Sequence, residues 1–240
     1  QKYNGILDAY ALLAKIDKKK TLTIDALIDQ GYAAEKLGGY KRAKGYYKRA
    51  LNKVNDKNVE LVMQLVGELT KLYERSKDYK SLVQIYKRAY KVLKKNSNTK
   101  REYQTYAYLI GYHQLTHLKQ NNNARIWMMR ADGGGTSNRE LEAGYWVAKL
   151  DINAGKNTKA LKRLKELAGR KIPKNSAIYA QINFELGTLY HSKENWKSAL
   201  MHYRFVSNAN VPNQLKALKS DAKQNATDID NYLKSVDSLD

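Results

Sequence analysis

Residues 186–206 read LGTLYHSKENWKSALMHYRFV, and their spacing decides the fold. Leu186, Gly187 and Tyr190 stand within one helical turn of each other. Asn195 follows, a residue favoured at helix N-termini because its side chain can accept a backbone N–H. Beyond it come Trp196, Ala199, Tyr203 and Val206. A step of four and then three places Ala199, Tyr203 and Val206 on one helical face. The stretch therefore reads as a helix, a tight turn and a second helix.

The same second-helix pattern recurs upstream. Ala43-Tyr47-Ala50, Leu82-Tyr86-Ala89, Ala124-Met128-Ala131 and Ala160-Leu164-Leu167 share the four-then-three spacing. Twelve residues before each first member stand Gly31, Thr70, Tyr112, Ala148 and, in the last case, Gly187. Three residues further on come Ala34, Tyr73, Leu115, Asp151 and Tyr190. Such self-similarity at a fixed period marks a repeat architecture. These landmarks resemble the tetratricopeptide repeat (TPR), a 34-residue helical hairpin. There small residues let two helices approach and aromatics fill the gap between neighbours. The resemblance covers about residues 22–210. It implies an all-α fold, a right-handed α-solenoid of about five helix-turn-helix repeats with a C-terminal capping helix.

The landmark small residue moves in steps of 39, 42, 36 and 39 residues, all longer than the family period. Tyr112 and Asp151 depart from the pattern, predicting distortion in the third and fourth repeats. The repeats are expected near 22–55, 59–95, 101–132, 138–169 and 176–208. Thr99–Glu102 and Ser137–Glu140 have the capping-box form, and Asn157 and Asn195 stand where second helices should begin. Residues 1–21 contain an amphipathic helix over 3–17. Residues 211–240 contain a terminal helix that covers the last apolar face, as an array end requires. With only two prolines and no Ser/Gly-rich run, the whole chain reads as one architecture.

Composition narrows the function. A net charge of +21 points to solubility and to anionic partners, without bearing on fold. The absence of cysteine removes disulfides, thiolate metal sites and thiol catalysis. Nineteen Tyr against two Phe suit a thin helical layer in which a ring is buried and its hydroxyl reaches water. No apolar run is long enough to span a membrane. A first residue of Gln rather than Met leaves room for a removed leader or an upstream domain.

No pattern carries chemistry well. His113 and His117, at i and i+4, share the spacing of a helical zinc motif, but Gln114 stands where that motif needs a catalytic Glu. Asp132 to Gly135 lacks the Gly-Lys-Ser/Thr ending of a phosphate loop, and helix termination at Gly133 accounts for it. The chain is read as a non-enzyme with no cofactor, no metal and no small-molecule substrate.

Two surfaces remain. By the resemblance, the first helices line a concave groove. That frame places Asp25, Ile28, Tyr32 and Glu35 there, then Gln64, Lys71 and Glu74. Tyr106, Leu109, His113 and His117 follow, then Glu142, Tyr145, Lys149 and Ile152, then Gln181, Phe184, Thr188 and His191. Tyr32, Tyr106, Tyr145 and Phe184 would be exposed aromatic anchors beside the three histidines. The second helices are basic, with Lys41, Arg42, Lys44, Lys48 and Arg49 in one and Lys80, Lys87, Arg88, Lys91, Lys94 and Lys95 near the next. The chaperone-docking subclass is set aside, because Ile28 and Tyr32 occupy positions where its carboxylate clamp needs Lys, Arg or Asn. The expectation is a protein-interaction scaffold binding a peptide or partner helix. The resemblance places it in an extracytoplasmic, periplasmic bacterial assembly for secretion, pilus, flagellar or polysaccharide export. The alternative is binding of an anionic polymer or membrane surface through the Lys-rich convex face.

Overall fold

The computed structural model describes residues 2–17, 19–95 and 99–237. Among them are twelve α-helices and no strand. They are α1 (Lys2–Ile16), α2 (Ile24–Lys36), α3 (Tyr40–Lys53), α4 (Val59–Arg75), α5 (Tyr79–Lys94), α6 (Lys100–Thr116), α7 (Asn121–Ala131), α8 (Asn138–Asn153), α9 (Asn157–Ala168), α10 (Ala177–His191), α11 (Trp196–Asn208) and α12 (Lys216–Asp237). The helices from α2 to α11 follow the expected first-helix and second-helix alternation, and α12 is the expected terminal helix. No helix among the described residues is long and apolar enough to cross a membrane.

The helices form two compact units, one ending at Gln120 and one starting at Asn121. In the first unit α1 packs on α2, α2 pairs with α3, α4 pairs with α5, and α6 lies against α5. In the second, α7 packs on α8, α8 pairs with α9, α10 pairs with α11, and α12 covers α11. The third expected repeat is therefore divided, with α6 in one unit and α7 in the other.

The landmark residues are core for the reason the pattern implies. Ala43, Ala50, Ala124, Ala160 and Ala199 are fully buried, and Tyr47 and Tyr203 nearly so. A Cβ built on Gly31 would meet Tyr47 at 2.6 Å, and one on Gly187 would meet Tyr203 at 2.8 Å. Each glycine is thus the flat seat on which the second-helix tyrosine lies. In the second unit Leu164 and Leu167 lock against Ile178, Ile182 and Leu186 across the α9–α10 junction. Burying each such side chain contributes about 1.5–3 kcal/mol.

The hairpin turns repeat more faithfully than the sequence does. Gly38, Lys77, Lys119, Gly155 and Glu194 all adopt left-handed backbone, with φ between 53° and 74°. Each lies five residues before its repeat's landmark small residue. In four of the five turns the next N–H reaches back five residues, as Asp78 does to the carbonyl of Tyr73. That bond satisfies a carbonyl the ending helix leaves orphaned. Three of the five positions are not glycine, at a cost of about 1–2 kcal/mol each.

Helix starts partly match the expected caps. Ser137 and Glu140 form the reciprocal capping box, and Asn195 accepts the N–H of Ser198 at 3.1 Å. The Thr99 box does not form. Its hydroxyl turns back to the carbonyl of Leu93 instead. Asn157 lies inside α9 rather than capping it, with Lys156 at the cap position.

Asp151, expected to distort its repeat, is accommodated by a new partner. Its side chain is only 2% exposed and takes a bidentate ion pair from Arg125, at 2.8 and 2.9 Å. Asp132 is held the same way between Arg163 at 2.9 Å and Arg170 at 2.8 Å. Buried carboxylates survive only when charge and hydrogen bonds are both supplied.

Candidate functional site

In the first unit a cleft of about 380 Å³ opens between the first-type helices α2 and α4. Ile28, Asp29, Tyr32, Glu35 and Lys36 line it from α2, and Gln64, Leu65, Glu68 and Lys71 line it from α4. Tyr47 of α3, seated on Gly31, closes the floor beside Leu65; both are almost wholly buried. The floor is apolar and fixed while the rim is polar.

The rim groups are held from several sides. The Tyr47 hydroxyl donates to Glu35 at 3.3 Å, and Lys71 pairs with Glu68 at 3.0 Å. The Tyr10 hydroxyl of α1 donates to Asp29 at 2.8 Å. Burial and then the Asp29 carboxylate push the Tyr10 phenol up to about 12. Burial, with Glu35 and Glu68 nearby, raises the Tyr47 phenol further. Both hydroxyls are therefore fixed donors at neutral pH. Tyr32 is 46% exposed, edge-on to Tyr3, with the Lys36 ammonium 5.1 Å from its ring centroid.

The seven groove residues singled out from the sequence divide sharply. Tyr32 and His117 are exposed, and Tyr106, Phe184 and His191 are half-buried. Tyr145 is buried and so is not the exposed anchor expected. It packs among Ile178, Ile182 and Leu186, and its hydroxyl reaches Glu185 at 3.3 Å. Lys149 joins the same carboxylate at 2.7 Å, so α8 and α10 are pinned together where an open groove was expected. Phe184 rests edge-on against Tyr203, with ring centroids 5.7 Å apart. Both expected anchors of the second unit are thus engaged in packing, Tyr145 across the α8–α10 contact and Phe184 within the α10–α11 hairpin.

His113 is likewise not groove surface. It lies beneath Tyr79 and Tyr86, 7% exposed, and its Nδ1 has no hydrogen-bond partner. Burial, and then the neighbouring His117, hold its pKa down at about 4. His117 stacks on Tyr79 with centroids 3.7 Å apart and planes 7° from parallel. No set of three or more His, Asp or Glu side chains placed for a metal occurs among the described residues.

Most of the basic residues do face solvent: Lys41, Arg42, Lys48, Arg49, Lys80, Lys91 and Lys95 are exposed and Lys87 is half-buried. Arg88 is the exception. Its guanidinium donates to the carbonyls of Leu51 and Val54 and pairs with Asp56 at 3.2 Å, so it caps the end of α3. The five second-type helices together hold 19 Lys or Arg and one Glu, while the first-type helices hold 7 basic and 11 acidic residues. Of the polar cleft residues, Asp29, Lys36 and Glu68 escaped the sequence frame. Each is one helical turn from a residue it did place.

No protein family and no curated protein matches the sequence. Solved structures do match. YrrB, a TPR protein with an unusual peptide-binding site, is 18% identical over 90% of this chain and 98% of its own, with a TM-score of 0.53. The apo form of RapI is 15% identical over 95% of this chain and 69% of its own, with a TM-score of 0.56. The chain has a TPR-like fold. TPR hairpins account for the seating of Tyr47 on Gly31 and of Tyr203 on Gly187.

Proposed function

We propose that this chain is a protein-interaction scaffold that binds a peptide or a partner helix in the cleft between α2 and α4. The observation carrying the reading is the cleft itself: a rigid apolar floor, a half-exposed tyrosine and a rim of fixed carboxylates and lysines. Interfaces anchor on aromatics set in pockets with satisfied polar surroundings, and Tyr32 is placed for that role. Peptide binding by YrrB, at comparable length and the same fold, supports the reading. The second unit does not offer the same surface, because Tyr145, Lys149 and Glu185 close the space between α8 and α10. The function is binding rather than catalysis. The two histidines that could suggest chemistry are committed to a tyrosine stack.

Peptides selected from a random library against the whole chain provide the test. Tyr32→Ala should weaken them by about 30-fold or more, the hot-spot threshold, while leaving the melting temperature nearly unchanged. Selected peptides that bind Tyr32→Ala and Glu68→Arg as tightly as the native chain would place recognition elsewhere.

A further inference from the structure

The uncompensated charge of α3 and α5 points to a second surface, independent of the cleft. α3 carries six Lys or Arg and α5 carries five, and neither has an Asp or Glu. On α3 the exposed row is Lys41, Arg42, Lys48, Arg49 and Lys53; on α5 it continues with Lys80 and Lys91, with Lys87 half-buried between them. Arg88, anchored on the carbonyls of Leu51 and Val54, ties α5 to the end of α3, where the two rows approach each other. Two carboxylates near these helices are already engaged. Asp56 is taken by Arg88 and Lys95, and Asp78 caps α5 by accepting the N–H of Ser81. None of the eight cations in the two rows forms an ion pair among the described residues.

What the surface lacks is equally specific. The other exposed residues on these helices are Gly45, Asn52, Gln84 and Lys94. No exposed apolar or aromatic side chain interrupts the rows. Protein interfaces need such anchors, and single-stranded nucleic acid needs stacking platforms. Six of the eight cations are lysine, a hydrated point charge rather than the planar fork that grips phosphates on a nucleic acid backbone. The α3 row alone runs for about 18 Å.

We propose that the outer face of α3 and α5 is a docking surface for an anionic lipid bilayer, held by charge alone without insertion. Each basic residue at such a surface contributes roughly a fivefold gain in partitioning.

Vesicle co-sedimentation of the whole chain tests this, using phosphatidylcholine alone and with about 30% phosphatidylglycerol at about 0.15 M salt. Binding should require the anionic lipid and vanish at about 1 M salt, where charges are screened within a few ångströms. The variant Lys41→Glu/Lys48→Glu/Lys87→Glu/Lys91→Glu should bind at least about 100-fold more weakly. The control Lys159→Glu/Lys162→Glu/Lys216→Glu/Lys223→Glu makes the same change in net charge and should stay within about tenfold of the native chain. Circular dichroism confirms that both variants are folded. Equal loss in the two variants, or binding to neutral vesicles, overturns the proposal. So does retention on a duplex of about 30 base pairs with none on the anionic vesicles.

Discussion

Removing the guanidinium from Arg125 should cost the second unit more than any surface change of the same size. The Arg125→Met variant keeps the aliphatic stem but leaves the Asp151 carboxylate, 2% exposed, with no counter-charge. Breaking a buried pair from one side costs about 3–5 kcal/mol, because the remaining ion keeps its desolvation penalty. At about 2–4 °C per kcal/mol for a chain of this size, the melting temperature should fall by roughly 6–20 °C. The converse change, Asp151→Leu, should cost less, about 1–3 kcal/mol, because Arg125 is 27% exposed and can swing its charge into water. The double variant Arg125→Met/Asp151→Leu should recover to within about 1 kcal/mol of the native chain, since apolar residues replace buried pairs well. Urea denaturation followed by circular dichroism measures the three costs, and hydrogen exchange shows whether the loss lies in α7 and α8. A cost below about 0.5 kcal/mol for Arg125→Met, or a double variant equal to the sum of the singles, would refute the argument.

Three further variants test the same structure. His113 is held neutral at a pKa of about 4 against an ordinary 6.5, so the unfolded chain binds the extra proton between those values. Its contribution is therefore complete above pH 6.5 and is lost as pH falls toward 4, by about 3 kcal/mol in all. His113→Phe should flatten the dependence of the urea midpoint on pH across that window; an unchanged slope would assign it to other groups. Gly31→Ala drives a Cβ to 2.6 Å from Tyr47 and should destabilise by about 1–3 kcal/mol despite its better helix propensity. Gly67→Ala meets nothing within 4 Å and should instead stabilise by about 0.5–1 kcal/mol, both read from thermal melts.

The sequence by itself determined the hairpins. Ala199, Tyr203 and Gly187, like Ala43, Tyr47 and Gly31, reveal their roles through spacing alone, because a 3.6-residue period and a small residue opposite an aromatic are local requirements. It also determined the basic character of α3 and α5, since charge is additive along a chain. Tertiary structure decided what those elements do to one another. Tyr145 and Phe184 read as anchors because an aromatic on a first helix looks alike whether it faces solvent or another helix. Only the positions of Ile182, Glu185 and Tyr203 show that both rings are engaged within the fold. Asp151 read as a flaw because its partner Arg125 lies 26 residues away, on a different helix. Arg88 read as surface because nothing in its neighbours announces that it caps the carbonyls ending α3. Lys77 and Glu194 gave no sign of left-handed backbone, since neither residue type favours it and packing of the two helices imposes it. Periodicity is written in neighbours along the chain; burial, pairing and strain depend on which residues distant in sequence are brought against them.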